Sequence, residues 1–385
     1  MADNLYFSRD TKLYLEMTTA QGGAGDVWEI PILDGFSFSQ ATNTTEVTLN
    51  EAALPSKQGK SRRSRQMFND SYAPAEWSFS TYARPFKSAG SGSGAANDTA
   101  NSHHAVEEVL WAMMAGPATY ASHDFTGFTR DTTDLDISFA NSNKVTLATA
   151  NFYFQLGGDG ETSTVYKLTG CVVNEASVDF DIDGIATINW SGFGGMISEV
   201  AAFPTATVTE GQAHTDTGNF IRNRLTQLAI STADDHLLAA GESADGDSDA
   251  ETYSLTLTGG NVTISNNITF LIPETLGVVN QPLGHVTGTR SVSGNFTCYL
   301  NNATDGSMDL FERIIEDTDT ITNVFDLTFK IGGTAAPRLQ MAMPACHLEV
   351  PTHSMDDIIS LETNFHALGT DIQSADEIAL KYVGA

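Results

Sequence analysis

The chain has 385 residues, and 19 Lys and Arg against 48 Asp and Glu give it a formal net charge of −29. That balance excludes most free-standing nucleic-acid binders, because neutralising phosphates takes a basic face. At this length two or three domains are expected, and a composition 17% charged and 41% hydrophobic supplies a core beneath a surface of uncharged polar residues.

From Met1 to Asp10 acids and an arginine stand where a signal peptide needs an apolar stretch. Phe36-Ser37-Phe38-Ser39 then alternates apolar with polar, as a half-buried strand does. Residues 54–71 have little apolar periodicity and hold Lys57, Lys60, Arg62, Arg63 and Arg65, which predicts a long basic loop between strands. The alternation returns at Trp77–Tyr82. Residues 87–101, with Gly90-Ser91-Gly92-Ser93-Gly94, read as a flexible linker.

Val106, Val109, Leu110, Met113 and Met114 recur at helical spacing, predicting an amphipathic helix from near Ser102 to Gly116-Pro117 with Glu107 and Glu108 in a solvated first turn. Val178–Ile182 and Ala186–Trp190 read as a hairpin. A two-residue Asp183-Gly184 loop would mix its faces, whereas a three-residue loop, Asp183–Ile185, sets Ile182 opposite Ala186, Phe180 opposite Ile188 and Val178 opposite Trp190. Asp179 and Asp181 then lie on the wet face.

The second half repeats the order of the first. At an offset of 175, Cys171 falls on Cys346, Asp181 on Asp356, Asn189 on Asn364, Trp190 on Phe365 and Gly194 on Gly369. At 201, Val109-Leu110 and Met113-Met114 fall on Leu310-Phe311 and Ile314-Ile315, and at 217, Phe79–Tyr82 falls on Phe296–Tyr299. The shared order of strand, helix and strand pair predicts a duplication. The expected division is 1–203, a linker at 204–218 punctuated by Pro204, Gly211 and Gly218, and 219–385.

Sites of chemistry are sparse. His103-His104 with Glu107 and Glu108 offers a His and a Glu at i, i+4 but no further ligands, and metal sites need three or four. Asp245, Asp247 and Asp249 imitate a calcium loop whose sixth and twelfth positions, Ala250 and Thr256, fail the motif. Gly90–Gly94 is no nucleophile elbow, and Gly192-Phe193-Gly194-Gly195 reads as a strand end rather than a dinucleotide fingerprint. Cys171, Cys298 and Cys346 are odd in number and widely spaced, which argues for a reducing compartment and against disulfides or zinc. No run of 18 apolar residues writes a membrane helix. No catalytic residue, cofactor site or metal site is expected. Of the three uses open to the basic loop, docking on an acidic surface of a second copy is preferred to a solvated loop or nucleic-acid contact.

The stretches Asp34–Thr42 and Ala75–Phe86 resemble those of the major tail proteins of tailed bacteriophages. The resemblance implies a mainly β chain of two tandem tail-tube-like β-sandwich or barrel domains, each with one flanking α-helix. It further implies a virion protein, assembled in the host cytoplasm, whose rings stack into a tube. Partners would be copies of itself, tape-measure and tube-end proteins, with DNA passing through without specific binding and no membrane involved. An acidic lumen suits such a conduit because repelled phosphates do not stick, and Asp179, Asp181 and Asp183 are the expected lumen acids. Lys57, Lys60, Arg62, Arg63 and Arg65 are the expected ring-stacking residues. Single-domain members form six-subunit rings, so a duplicated chain implies a trimeric ring with pseudo-sixfold symmetry. The alternative is a capsid decoration or fibre-like sandwich that binds another surface.

Overall fold

The computed structural model describes residues 6–17, 27–48, 65–87, 102–121, 124–139, 147–157, 163–203, 208–209, 217–232, 251–316, 325–355, 357–371 and 374–384. In the first half β1 (Lys12–Met17), β2 (Val27–Ile30), β3 (Ser37–Glu46) and β4 (Met67–Tyr82) precede α1 (Glu108–Ala115), β5 (Leu135–Ser138), β6 (Ala150–Leu156), β7 (Thr164–Asp181) and β8 (Thr187–Gly194). The second half brings β9 (Gln227–Thr232), β10 (Glu251–Ser254), β11 (Leu257–Ser265), β12 (Ser291–Tyr299), α2 (Ser307–Glu316), β13 (Phe325–Ile331), β14 (Arg338–Leu348), β15 (Thr352–Met355), β16 (Ile359–Ala367) and β17 (Ala379–Val383). The chain is mainly β.

Apart from a short parallel pairing of Val208–Thr209 with Val27–Trp28, the strand pairings are antiparallel, and they follow one order in both halves. β1 pairs with β2 and β6, β6 with β7, β7 with β8, β8 with β4, and β4 with β3. Likewise β9 pairs with β10 and β13, β13 with β14, β14 with β16, β16 with β12, and β12 with β11. The halves are joined where Glu175–Asp181 of β7 pairs with Ser265–Gly259 of β11. A ribbon of eight strands results, in the order β3, β4, β8, β7, β11, β12, β16, β15. Among the described residues β3 pairs only with β4 and β15 only with β16, so the ribbon has an open edge at each end.

Period two explains which face is dry. Trp77, Phe79, Val178, Phe180, Ile188, Trp190, Val262, Ile264, Phe296 and Phe365 are buried on one side of the ribbon, in a single hydrophobic cluster that runs from Leu13 to Tyr382 through both halves. β7 serves two sheets: its residues 164–171 pair with β6 and residues 172–179 with β8. The change of sheet follows Gly170, at φ +56°, and a register shift between Val173 and Glu175 that bends the strand. The C-terminal β17 lies between β5 of the first half and β14 of the second.

Several sequence expectations are corrected here. The helix begins at Glu108, after a short strand at His103–Ala105, and all eight of its residues are buried rather than one face. Its "polar" start is packed under β17, so no wet face is needed. The hairpin loop is longer than three residues. Val178 faces Ile188 and Ala176 faces Trp190, a two-residue slip that keeps the dry face but leaves Ile182 exposed. The cause lies in tertiary contacts: Ala186 N–H donates to the Ile221 carbonyl and Asn223 N–H to the Gly184 carbonyl, pulling residues 182–186 out of the ladder. Met67–Ser71, placed in the basic loop, are instead the start of β4 paired to β3. Met67 and Phe68 are exposed there, so no apolar period marked them as strand. The same two-residue ambiguity touches the repeat: Phe79 faces Trp190, whereas Phe296 faces Thr363, so with Phe79 set on Phe296 the register equivalent of Trp190 is Thr363 rather than Phe365.

Gly192 lies inside the ladder opposite Trp77. A Cβ there would stand 2.0 Å from the Val172 carbonyl oxygen and 2.5 Å from the Trp77 ring. In the second half the roles are exchanged between strands, Gly294 of β12 lying opposite Phe365 of β16. Gly192→Ala is therefore expected to lower the unfolding free energy by about 1–3 kcal/mol through overpacking against backbone, seen as a lower urea midpoint with unchanged slope.

Candidate functional surface

The wet face of the eight-strand ribbon is a sheet of short polar side chains. Ser37, Ser78, Ser80, Thr187, Asn189, Ser191, Ser177, Asp179, Asp181, Asn261, Thr263, Ser293, Asn295, Thr297, Glu362 and Asn364 project from successive strands on the side opposite the buried aromatics. None of these is Lys or Arg. Hydrogen bonds cross the strands and hold the carboxylates upright. Ser80 Oγ donates to Asn189 Oδ1 (2.6 Å), Asn189 Nδ2 to Asp179 Oδ2 (2.7 Å) and Ser177 Oγ to Asp179 Oδ1 (3.2 Å). Thr263 Oγ1 donates across the junction of the halves to Ser177 Oγ (3.2 Å), and Asn295 Nδ2 to Glu362 Oε1 (3.2 Å). The surface is thus neutral to acidic, and its carboxylates disfavour an approaching phosphate.

Asp179 and Asp181 are exposed on this face, where the alternation put them. Asp183 departs from it: it sits in the turn and faces Arg224, whose Nη1 is 3.5 Å from its Oδ1. Of the five bases expected to stack rings, Lys57, Lys60, Arg62 and Arg63 lie outside the described residues, as do Asp245, Asp247, Asp249 and the Gly90–Gly94 linker. Arg65 is exposed and forms a two-pronged ion pair with Glu46 across the β3–β4 arm.

The sequence reading missed a buried polar cluster. His103, His104, Glu107 and Glu108 are all buried instead of forming a solvated turn. The spacing that resembled a metal pair brings His104 Nδ1 to 3.2 Å from Glu108 Oε2, and the cation beside them is Arg130, whose Nη1 is 3.1 Å from the same oxygen. Burial opposes that carboxylate's charge, but Arg130 and His104 prevail and hold Glu108 down at about 2. Glu107 is different. It accepts from the Tyr382 hydroxyl (2.6 Å), which accepts from Trp111 Nε1–H (2.7 Å), and burial pushes its carboxyl up to about 7. Tyr382 is three residues from the C-terminus and 275 from Glu107, so nothing local in the sequence signals the contact. The three cysteines are free and buried, and burial pushes each thiol up, Cys298 to about 11.

A family model described as phage tail tube protein matches residues 33–367. The chain belongs to that family. It is 28% identical over 382 residues to the tail tube protein pb6 of Escherichia phage T5, an alignment covering 97% of this chain and 75% of that protein. This tail tube chain is accordingly a structural component of the virion tail and not an enzyme, and the decoration or fibre reading falls away. Among the described residues no helix is long and apolar enough to cross a membrane.

Proposed function

We propose that this tail tube chain consists of two copies of one module, residues 1–203 and 219–385 joined by 204–218, and that three chains close into a pseudo-sixfold ring. Rings stack into the tube through which DNA is ejected, in company with tape-measure and tube-end proteins. The observation that carries the reading is the β7–β11 junction, where the sheets of the two halves already pair edge to edge. Its counterpart edges, β15 in the second half and β3 in the first, are the ends of the ribbon left open among the described residues. Unpaired edges invite another chain, and copying the internal junction sets residues near 350–356 of one chain against residues near 35–41 of the next.

The arithmetic of closure agrees with three. Three ribbons of eight strands, at about 4.8 Å per strand and a tilt of about 40°, give a barrel circumference of roughly 150 Å and a diameter near 48 Å. With side chains inside, a channel wide enough for a DNA duplex remains. The wet face is the one that closure would turn inward, because the other is covered by the second sheet and α1. Asp179 and Asp181 then line the lumen, with Asp183 at its rim. The symmetry of a tube reconstruction tests the ring, three chains being expected and six overturning it. Asp181→Cys in assembled tubes is expected to resist a bulky thiol reagent that labels the free chain readily, and rapid labelling from outside would put the acids on the outer wall.

A further inference from the structure

Beyond β11 the chain forms a hairpin, Thr269–Leu271 paired with Gly284–Val286, whose tip carries an apolar cluster in water. Leu276 is fully exposed, and Leu283, Val278 and Val279 are 76%, 64% and 45% exposed. The tip is braced rather than loose: Tyr72 N–H donates to the Asn280 carbonyl (2.9 Å), Asn280 N–H to the Asp70 carbonyl (3.2 Å), and Thr275 N–H to Asn280 Oδ1 (2.8 Å). A fixed, solvent-facing group of aliphatic side chains marks an interaction surface.

The matching feature lies at the other end of the same strands. A cleft of about 400 Å³ is lined by Ile185, Phe220, Leu225, Ala335, Ala336 and Pro337. The hairpin leaves β11 after Ser265, whereas the cleft takes Ile185 from the 182–186 turn, which follows Asp181, the partner of Gly259 at the other end of β11. Knob and cleft are therefore separated along the strand axis by the length of β11, roughly 25 Å at 3.3 Å per residue. Charges match as well as apolar surface. Glu274 stands at the knob, while Arg222, one of only 19 bases in the chain, lines the cleft and is exposed.

We propose that the 269–286 hairpin of one chain seats Leu276–Val279 in the Ile185–Phe220–Leu225–Pro337 cleft of a chain in the adjoining ring, with Glu274 facing Arg222. A knob and a cleft at opposite ends make a heterologous contact that does not close on itself, and repetition of such a contact builds an open filament. The inference rests on the tube reading and adds to it which residues join ring to ring.

The decisive experiment pairs Val278→Cys with Leu225→Cys in the full chain. The native thiols are buried, so tubes oxidised after assembly should show a ladder of disulfide-linked dimers, trimers and longer species on non-reducing gels, absent from either single variant. Tubes without cross-links would overturn the proposal. In a second arm, Leu276→Asp with Val278→Asp is expected to leave folded chains that form rings of wild-type mass but need at least tenfold more protein to form tubes. Normal tubes, or loss of the rings themselves, would each overturn it. If the wild-type chain makes neither rings nor tubes, the failure belongs to the tube reading, and the proposal falls with it.

Discussion

Glu107→Gln is expected to stabilise the chain by about 3 kcal/mol at pH 8 and to leave it nearly unchanged at pH 4. The value follows from a carboxyl whose ordinary 4.5 is raised to about 7, at 1.36 kcal/mol per unit. The sign follows from proton linkage. The folded state keeps the proton up to about pH 7 while the unfolded state releases it near 4.5, so wild-type stability from this group is full below 4.5 and is lost as pH rises to 7. Gln cannot ionise, and its carbonyl can occupy the Oε1 position that already accepts from the Tyr382 hydroxyl (2.6 Å) and Arg84 N–H (3.3 Å). The charged groups that bear on Glu107 are Arg84, which favours its ionisation, and Tyr382, held well above its ordinary value by burial and by Glu107 itself. Glu108 runs the other way: held down at about 2, it contributes stability above 4.5 that is lost as pH falls toward 2. Urea unfolding of both chains from pH 4 to 8 checks the claim, and parallel curves across that range would contradict it.

Reversing Lys57, Lys60, Arg62, Arg63 and Arg65 to Glu is expected to abolish tube formation while leaving a soluble, folded chain. Five bases lie within nine residues of a protein with net charge −29, so the field of a second copy attracts them. These residues fall between β3 and β4 in the sequence, the segment between β11 and β12 carries the apolar knob, and β3 and β11 run in the same direction across the ribbon. Folding should survive because charged residues are rarely buried unless paired, and the Arg65–Glu46 pair that the change disrupts is exposed. Circular dichroism, sedimentation and electron microscopy separate the outcomes. Normal tubes would return the loop to a solvated role, and loss of the folded signal would show that the arm supports the sandwich.

How much was legible varies by element, and the reason is the range of the interactions concerned. The strands at Ser37–Ser39, Trp77–Tyr82, Val178–Asp181 and Thr187–Trp190 declared themselves because a half-buried sheet enforces alternation residue by residue. Register did not, since a two-residue slip preserves every face, and the Ile221 and Asn223 contacts that chose it come from some 35 residues away. α1 was legible as a helix but misread as amphipathic, because its apparent polar face is buried, Glu107 hydrogen-bonded by Tyr382 and Glu108 paired with Arg130. The apolar knob at Leu276–Val279 was invisible for a related reason: an aliphatic run is assumed to be buried, and only the tertiary structure shows it standing in water.

By itself the sequence determined the charge, the alternating strands, the helices at Glu108–Ala115 and Ser307–Glu316 and a family resemblance later matched over residues 33–367, because these rest on composition and on patterns a few residues long. The tertiary structure decided the register of the ribbon, the pairing of β7 with β11 that leaves β3 and β15 open, and the burial of four ionisable groups at the start of α1. Those depend on residues 22 to 275 positions apart, whose free energy of contact has no periodic signature along the chain.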